Sequence, residues 1–135
     1  MKSFFLSSLL LVCLVFSCIS DDDGPGPDTD LTTQIVGSYT GTFVETDDDG
    51  ESTTLTDVTA QVQRVSDDMI MIALTFDGDT ETFNATMTSA TAFTVPAFDA
   101  SGVMTMGSGA LSGSNLTITL TDADDFSFSY TGTRV

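Results

Sequence analysis

The sequence predicts an all-β domain, a small antiparallel up-and-down barrel of about eight strands, with a β-sandwich as the alternative. Three observations carry this expectation. From Ile35 onward threonine alternates with apolar residues, the period-two pattern of half-buried strands. Short polar clusters separate the alternating stretches, among them Asp47-Asp48-Asp49-Gly50-Glu51, Asp77-Gly78-Asp79 and Gly113-Ser114-Asn115, as hairpin turns require. No helix-period segment lies between them, so successive strands pair as a meander, and a meander protects its edges best by closing. An immunoglobulin-type sandwich usually has longer cross-sheet connections and a Cys…Trp…Cys trio, and this chain has no tryptophan.

Taken in order, Asp30-Leu31-Thr32-Thr33-Gln34 reads as a brief helical turn capped by Asp30. The first strand is expected from Val36 to Val44, and the second from Thr54 to Val65, with Val58, Ala60 and Val62 on one face. Met69 to Phe76 and Thr80 to Thr88 form the next pair, the latter with Phe83, Ala85 and Met87 facing one way. Thr91 to Phe98 is less regular, because Pro96 removes a ladder donor and marks an edge or a bulge. Gly102 to Gly107 and Ser108 to Ser112 read as short, glycine-interrupted pieces. Leu116 to Thr121 alternates cleanly, and Phe126 to Arg134 is the last strand after the turn at Asp122 to Asp125.

Before the barrel, the chain divides into residues 1–17, a signal peptide, and residues 18–30, an extended linker. Met1-Lys2 is a minimal basic start, and the apolar run to Ile19 is too short for the ~20 residues of a membrane helix. Asp21, Asp22, Asp23, Asp28 and Asp30 then mix with Gly24, Pro25, Gly26 and Pro27, a self-repelling composition that does not fold. The formal net charge is −17, and once Lys2 leaves with the signal only Arg64 and Arg134 face 20 acidic residues. Such a surface repels nucleic acid. With no histidine, and no cysteine beyond Cys13 and Cys18, the chain offers no Ser-His-acid triad and no ordinary zinc, haem or iron–sulfur ligands. No cofactor and no metal is expected.

Val15-Phe16-Ser17-Cys18 resembles the bacterial lipobox, with an aliphatic residue, a small residue before the cysteine, and Cys18 as the lipidated residue. Cys13 is a poorer match, because Val12 stands where a small residue belongs. The resemblance implies a diacylglyceryl group and an N-acyl chain, and two or more chains anchor stably where one does not. Ser20-Asp21-Asp22-Asp23-Gly24 resembles the acidic export tag of surface lipoproteins of Bacteroidetes, which implies the outer membrane with the domain facing the exterior. Within residues 31–135, Gly37-Ser38-Tyr39-Thr40-Gly41, Ser112-Gly113-Ser114-Asn115-Leu116-Thr117-Ile118 and Tyr130-Thr131-Gly132-Thr133-Arg134 are similar to the lipocalin-like, or calycin-like, lipoproteins of that group. The likeness implies that Gly37, Tyr39 and Arg134 close one end of the barrel, the arginine packing on an aromatic ring that is usually tryptophan.

The interior is the one credible ligand site, with Phe43, Val62, Ile72, Leu74, Phe83, Ile118, Phe128 and Tyr130 as candidate pocket or core residues. A largely packed interior with a shallow mouth is expected. The acidic hairpin starting at Glu45 fails the calcium-loop pattern, because Thr56 stands where the bidentate glutamate belongs. Met69/Met71 and Met104/Met106 are read as core gap-fillers. Nearly every carboxylate falls in a turn, and only Asp57 and Glu81 fall within expected strands. The leading reading is a non-enzymatic, lipid-anchored binding or interaction module for a small apolar ligand or a surface protein partner. The alternatives are a shielding protein with a filled barrel and a carboxylate-dependent hydrolase.

Overall fold

The computed structural model describes residues 30–135. Eight strands follow one another with no helix between them: β1 (Gly37–Thr46), β2 (Ser52–Arg64), β3 (Met69–Phe76), β4 (Asp79–Ser89), β5 (Ala92–Ala100), β6 (Val103–Ser112), β7 (Asn115–Asp122) and β8 (Ser127–Arg134). Each pairs antiparallel with the next, and β8 returns to β1 to close the barrel. The closed meander forms, and the sandwich does not. Among the described residues, the buried core runs from Ile35 to Tyr130.

The period-two pattern sorts the side chains. Along β7, Leu116, Ile118 and Leu120 are buried while Thr117, Thr119 and Thr121 are exposed. Along β3, Ile70, Ile72 and Leu74 point inward. Met69 and Met71 therefore take the outer face, and Met104 and Met106 are exposed on β6. The two methionine pairs do not fill the core, since their strand neighbours hold the inward positions. An outer face rich in threonine is the reverse of a membrane-spanning barrel, which turns apolar residues outward.

Two local expectations need correction. β1 runs on to Thr46, so Glu45 belongs to a strand. β6 is one continuous strand, because Gly107 and Gly109 allow close approach to neighbours rather than breaking it. A Cβ at Gly109 would lie 2.2 Å from the Phe93 ring, and Phe93 is its cross-strand partner. The expected turn at Leu31–Ile35 forms, with the Val36 N–H donating to the Thr32 carbonyl at 3.1 Å and Asp30 capping its start. Pro96 does mark an irregularity, a register shift between Val95 and Phe98 against β6. On its other side, among the described residues, the β4–β5 ladder ends at Thr86–Thr94, leaving the halves of these strands nearer the β3–β4 and β5–β6 turns without ladder pairs to each other.

Closure between β1 and β8 is unbroken from Tyr39–Arg134 to Thr46–Ser127. Two pairs in from Tyr39–Arg134, Gly41 faces Gly132, and Tyr130 folds back across the space their missing side chains leave. A Cβ on Gly132 would meet the Tyr130 hydroxyl at 2.1 Å, and one on Gly41 would meet the Thr131 carbonyl oxygen at 1.9 Å. An aromatic ring over a facing glycine pair fills volume that two side chains would overfill.

Gly41→Ala is expected to cost about 3 kcal/mol, at the upper end of overpacking penalties because its clash is with backbone. Urea unfolding measures this, and a loss below about 1 kcal/mol would contradict the close approach. A second expectation concerns alkaline pH. Burial pushes the Tyr130 hydroxyl up from 10.0 to about 12, so the folded state holds this proton after the unfolded chain has lost it. Its contribution is whole below pH ~10 and is lost as pH rises through about 12. Tyr130→Phe should flatten that part of the stability–pH curve, and an equally steep decline in the variant would refute the assignment.

Candidate functional site

Strand direction gives the barrel two unlike ends. The β2–β3, β4–β5 and β6–β7 turns share one end with residues 30–36 and Arg134, and the other four turns form the opposite mouth. At the closed end Thr32 and Ile35 are fully buried as a plug. The Asp30 carboxylate holds the plug by accepting from the Thr32 hydroxyl at 2.6 Å and the Thr32 N–H at 2.9 Å. These bonds, with the Arg64 charge beside it, keep its carboxyl below the usual range. Leu31 N–H donates to the Asp67 carbonyl at 2.8 Å, and Arg64 bridges Asp30 and Asp67.

Arg134 completes this end. Its Nη2 donates to the Tyr39 hydroxyl at 2.6 Å and to the Gln34 carbonyl, and Tyr39 in turn donates to the Ile35 carbonyl at 2.7 Å. The guanidinium carbon stands 5.2 Å from the centre of the Tyr39 ring. Tyrosine in place of tryptophan therefore supplies a hydroxyl that relays a hydrogen bond from the last strand to the plug. Gly37 holds φ 152°, a backbone conformation that side-chain-bearing residues rarely adopt, and the guanidinium packs at ordinary contact distance, 3.7 Å from where a Gly37 Cβ would stand.

The opposite end is a cup. A cavity of about 280 Å³ opens there, walled by Phe43, Phe76, Phe83, Phe98 and Phe128 with Leu55, Leu74 and Leu120 between them. The rings are organised in two groups. Phe43 stacks on Phe76 at 5.5 Å and lies 6.0 Å from Phe128, while Phe83 stacks on Phe98 at 5.2 Å. The second stack spans the halves of β4 and β5 that lack ladder pairs, so side chains rather than ladder bonds hold that flank.

Acidic residues surround this mouth. The first hairpin carries Glu45, Asp47, Asp48, Asp49 and Glu51, and the second Asp77, Asp79 and Glu81. Asp99 on the third and Asp122, Asp124 and Asp125 on the fourth complete the rim. No lysine or arginine accompanies them among the described residues, because Arg64 and Arg134 are both at the closed end. Turn chemistry accounts for several of these acids. Asp47 accepts from the Glu51 N–H, Asp99 from the Gly102 N–H, and Asp122 from the Asp124 and Phe126 N–H groups. Asp77 and Asp125 hold positive φ, which aspartate tolerates.

Glu45 and Glu81 have no such reason. Each lies two residues beyond the buried Phe43 or Phe83 on the opening side, on the same inward face, and both line the cup. Among the described residues no side chain pairs with either carboxylate. Glu45 escapes a sequence reading that ends the first strand at Val44, and the inward face of Glu81 is borne out by its pairing with the buried Leu74. The odd–even count from Phe83 was the available signal.

Of the candidate interior residues, Phe43, Leu74, Phe83 and Phe128 line the cup, while Val62, Ile72, Ile118 and Tyr130 fill the barrel beneath it. Gly37, Tyr39 and Arg134 meet at the closed end. Leu55, Phe98, Leu120, Ala100 and Thr105 also line the cup and were not singled out by the sequence pattern. Cys18 and the linker up to Thr29 lie outside the described residues.

No protein-family model matches the chain, and no curated protein matches it by sequence. Solved structures do resemble its fold. A crystal structure of a Bacteroides fragilis protein named as an outer membrane protein superposes at a TM-score of 0.56 with 18% identity, over 78% of this chain and 53% of that one. The chain thus spans about half the length of that relative. A redesigned β-barrel, mFAP1 bound to DFHBI, gives 0.55 with 16% identity over 81% of this chain and 100% of its own. Another redesigned barrel, b11L5F_LGL, gives 0.54 with 15% identity over 80% and 95%. These likenesses establish a β-barrel of that kind.

Proposed function

We propose that this protein is a lipid-anchored, lipocalin-like outer-membrane lipoprotein whose barrel holds a small apolar ligand in its mouth without transforming it. The observation that carries the reading is the phenylalanine-walled cup of about 280 Å³. An apolar cavity of ~150 Å³ already takes up benzene, and drug-sized ligands occupy ~300–1,000 Å³. The size fits one or two rings or a short acyl chain.

The redesigned barrel of the same fold that is bound to DFHBI supports ligand binding in such a frame. The Bacteroides fragilis neighbour's name supports the outer membrane. An outward face of threonines fits a domain carried beside the bilayer on the Cys18 anchor rather than one crossing it. A carboxylate hydrolase would need hydrogen-bonding groups to hold a polar substrate, whereas the cup presents mainly hydrocarbon. A shielding protein gains nothing from a cavity at its outer end.

Native mass spectrometry of residues 28–135 purified from the host tests the reading. A retained small molecule is expected in the wild type and at least about tenfold less in Ala100→Trp, which places an indole in the cup at its rim. Repeated bare masses for the wild type would refute ligand carriage. For the anchor, Cys18→Ala should move the full-length protein out of the membrane fraction into the soluble one. Unchanged partitioning would overturn lipidation at Cys18.

A further inference from the structure

We propose that the cup selects a cationic amphiphile, a ligand with an apolar body and an ammonium or guanidinium group directed outward at Glu45 and Glu81. The inference rests on the cup being a ligand site and adds the ligand's charge.

Three features combine. Polar positions on these strands are overwhelmingly threonine or serine, yet the inward positions next above Phe43 and Phe83 are both glutamate. Among the described residues neither carboxylate is engaged by a side-chain partner, and neither shapes a turn. Both stand where apolar walls give way to solvent, the level at which the head group of a seated amphiphile emerges.

The rim then amplifies the choice. Twelve carboxylates on four hairpins, with no basic residue among them, produce a negative potential that low-dielectric walls focus into the mouth. The stacked phenylalanines add ring faces that attract a cation. An anionic amphiphile would meet repulsion on every side, and a neutral one would gain only from burial. The protein's two described cations, Arg64 and Arg134, are at the far end and occupied with closure, so they do not neutralise the rim.

Calorimetric titration of residues 28–135 with octyltrimethylammonium, octanol and octyl sulfate, each below its micelle concentration, tests this. The ammonium should bind about tenfold tighter than octanol and the sulfate more weakly than either, with the ammonium's advantage shrinking as salt rises. The double substitution E45Q/E81Q should remove most of the preference for the ammonium over octanol. Equal binding of ammonium and octanol would overturn charge selection while leaving the apolar cup intact. If none of the three binds, the cup is not a ligand site and both readings fall. A preference that survives E45Q/E81Q unchanged would overturn the assignment to these two glutamates.

Discussion

The seam between β1 and β8 is the contact on which everything else in this domain depends. Seven consecutive strand pairings could form in an open sheet, whose two free edges would be templates for aggregation. The eighth pairing removes both edges and encloses an interior. It is long and in unbroken register, and it includes a facing glycine pair, Gly41 and Gly132, near the closed end. With side chains there the strands could not curve so tightly, and without the Tyr130 ring the same spot would be a void. The closure is thus one interaction between two backbones and one aromatic ring.

From that seam the two ends diverge in chemistry. At the closed end the chain entering β1 folds across the opening, with Thr32 and Ile35 as its buried contribution. Arg134, the last residue of β8, ties that plug through the Tyr39 hydroxyl, so the beginning and end of the domain are joined by one hydrogen-bonded relay. At the mouth no segment among the described residues folds over, and the phenylalanines there wall a cup. The flank between β4 and β5 is the least bonded part of the wall, where Pro96 and the register shift separate backbones that the Phe83–Phe98 stack bridges. The cup lies at the end opposite the closure, so the proposed ligand would enter without disturbing the structural relay.

Much of the fold was legible because the alternation of threonine with apolar residues has one physical meaning, a strand with one wet and one dry face. The strand count, the antiparallel meander and the inward set around Ile70, Ile72 and Ile118 follow from it. The methionines mislead a composition-based reading, since Met69 and Met71 look like core residues until the register gives the inward positions to Ile70 and Ile72. The glycines of β6 mislead in the opposite sense. They look like breaks, but Gly109 is the space into which Phe93 packs from the next strand.

The sequence by itself determined the all-β class, the hairpin order, the excess of acid, and most of the inward-facing set, because each of these depends mainly on neighbours along the chain. The tertiary structure alone decided which inward residues fill the barrel and which line a cavity. Phe128 and Tyr130 are two residues apart on one face of one strand, yet one walls the cup and the other packs over glycine. Periodicity fixes the face of a side chain but not its height in the barrel, and height relative to the plug and the rim is what separates core from site. The gathering of acids at one end has the same origin: they are scattered along the chain, and only the up-and-down path brings every second turn together.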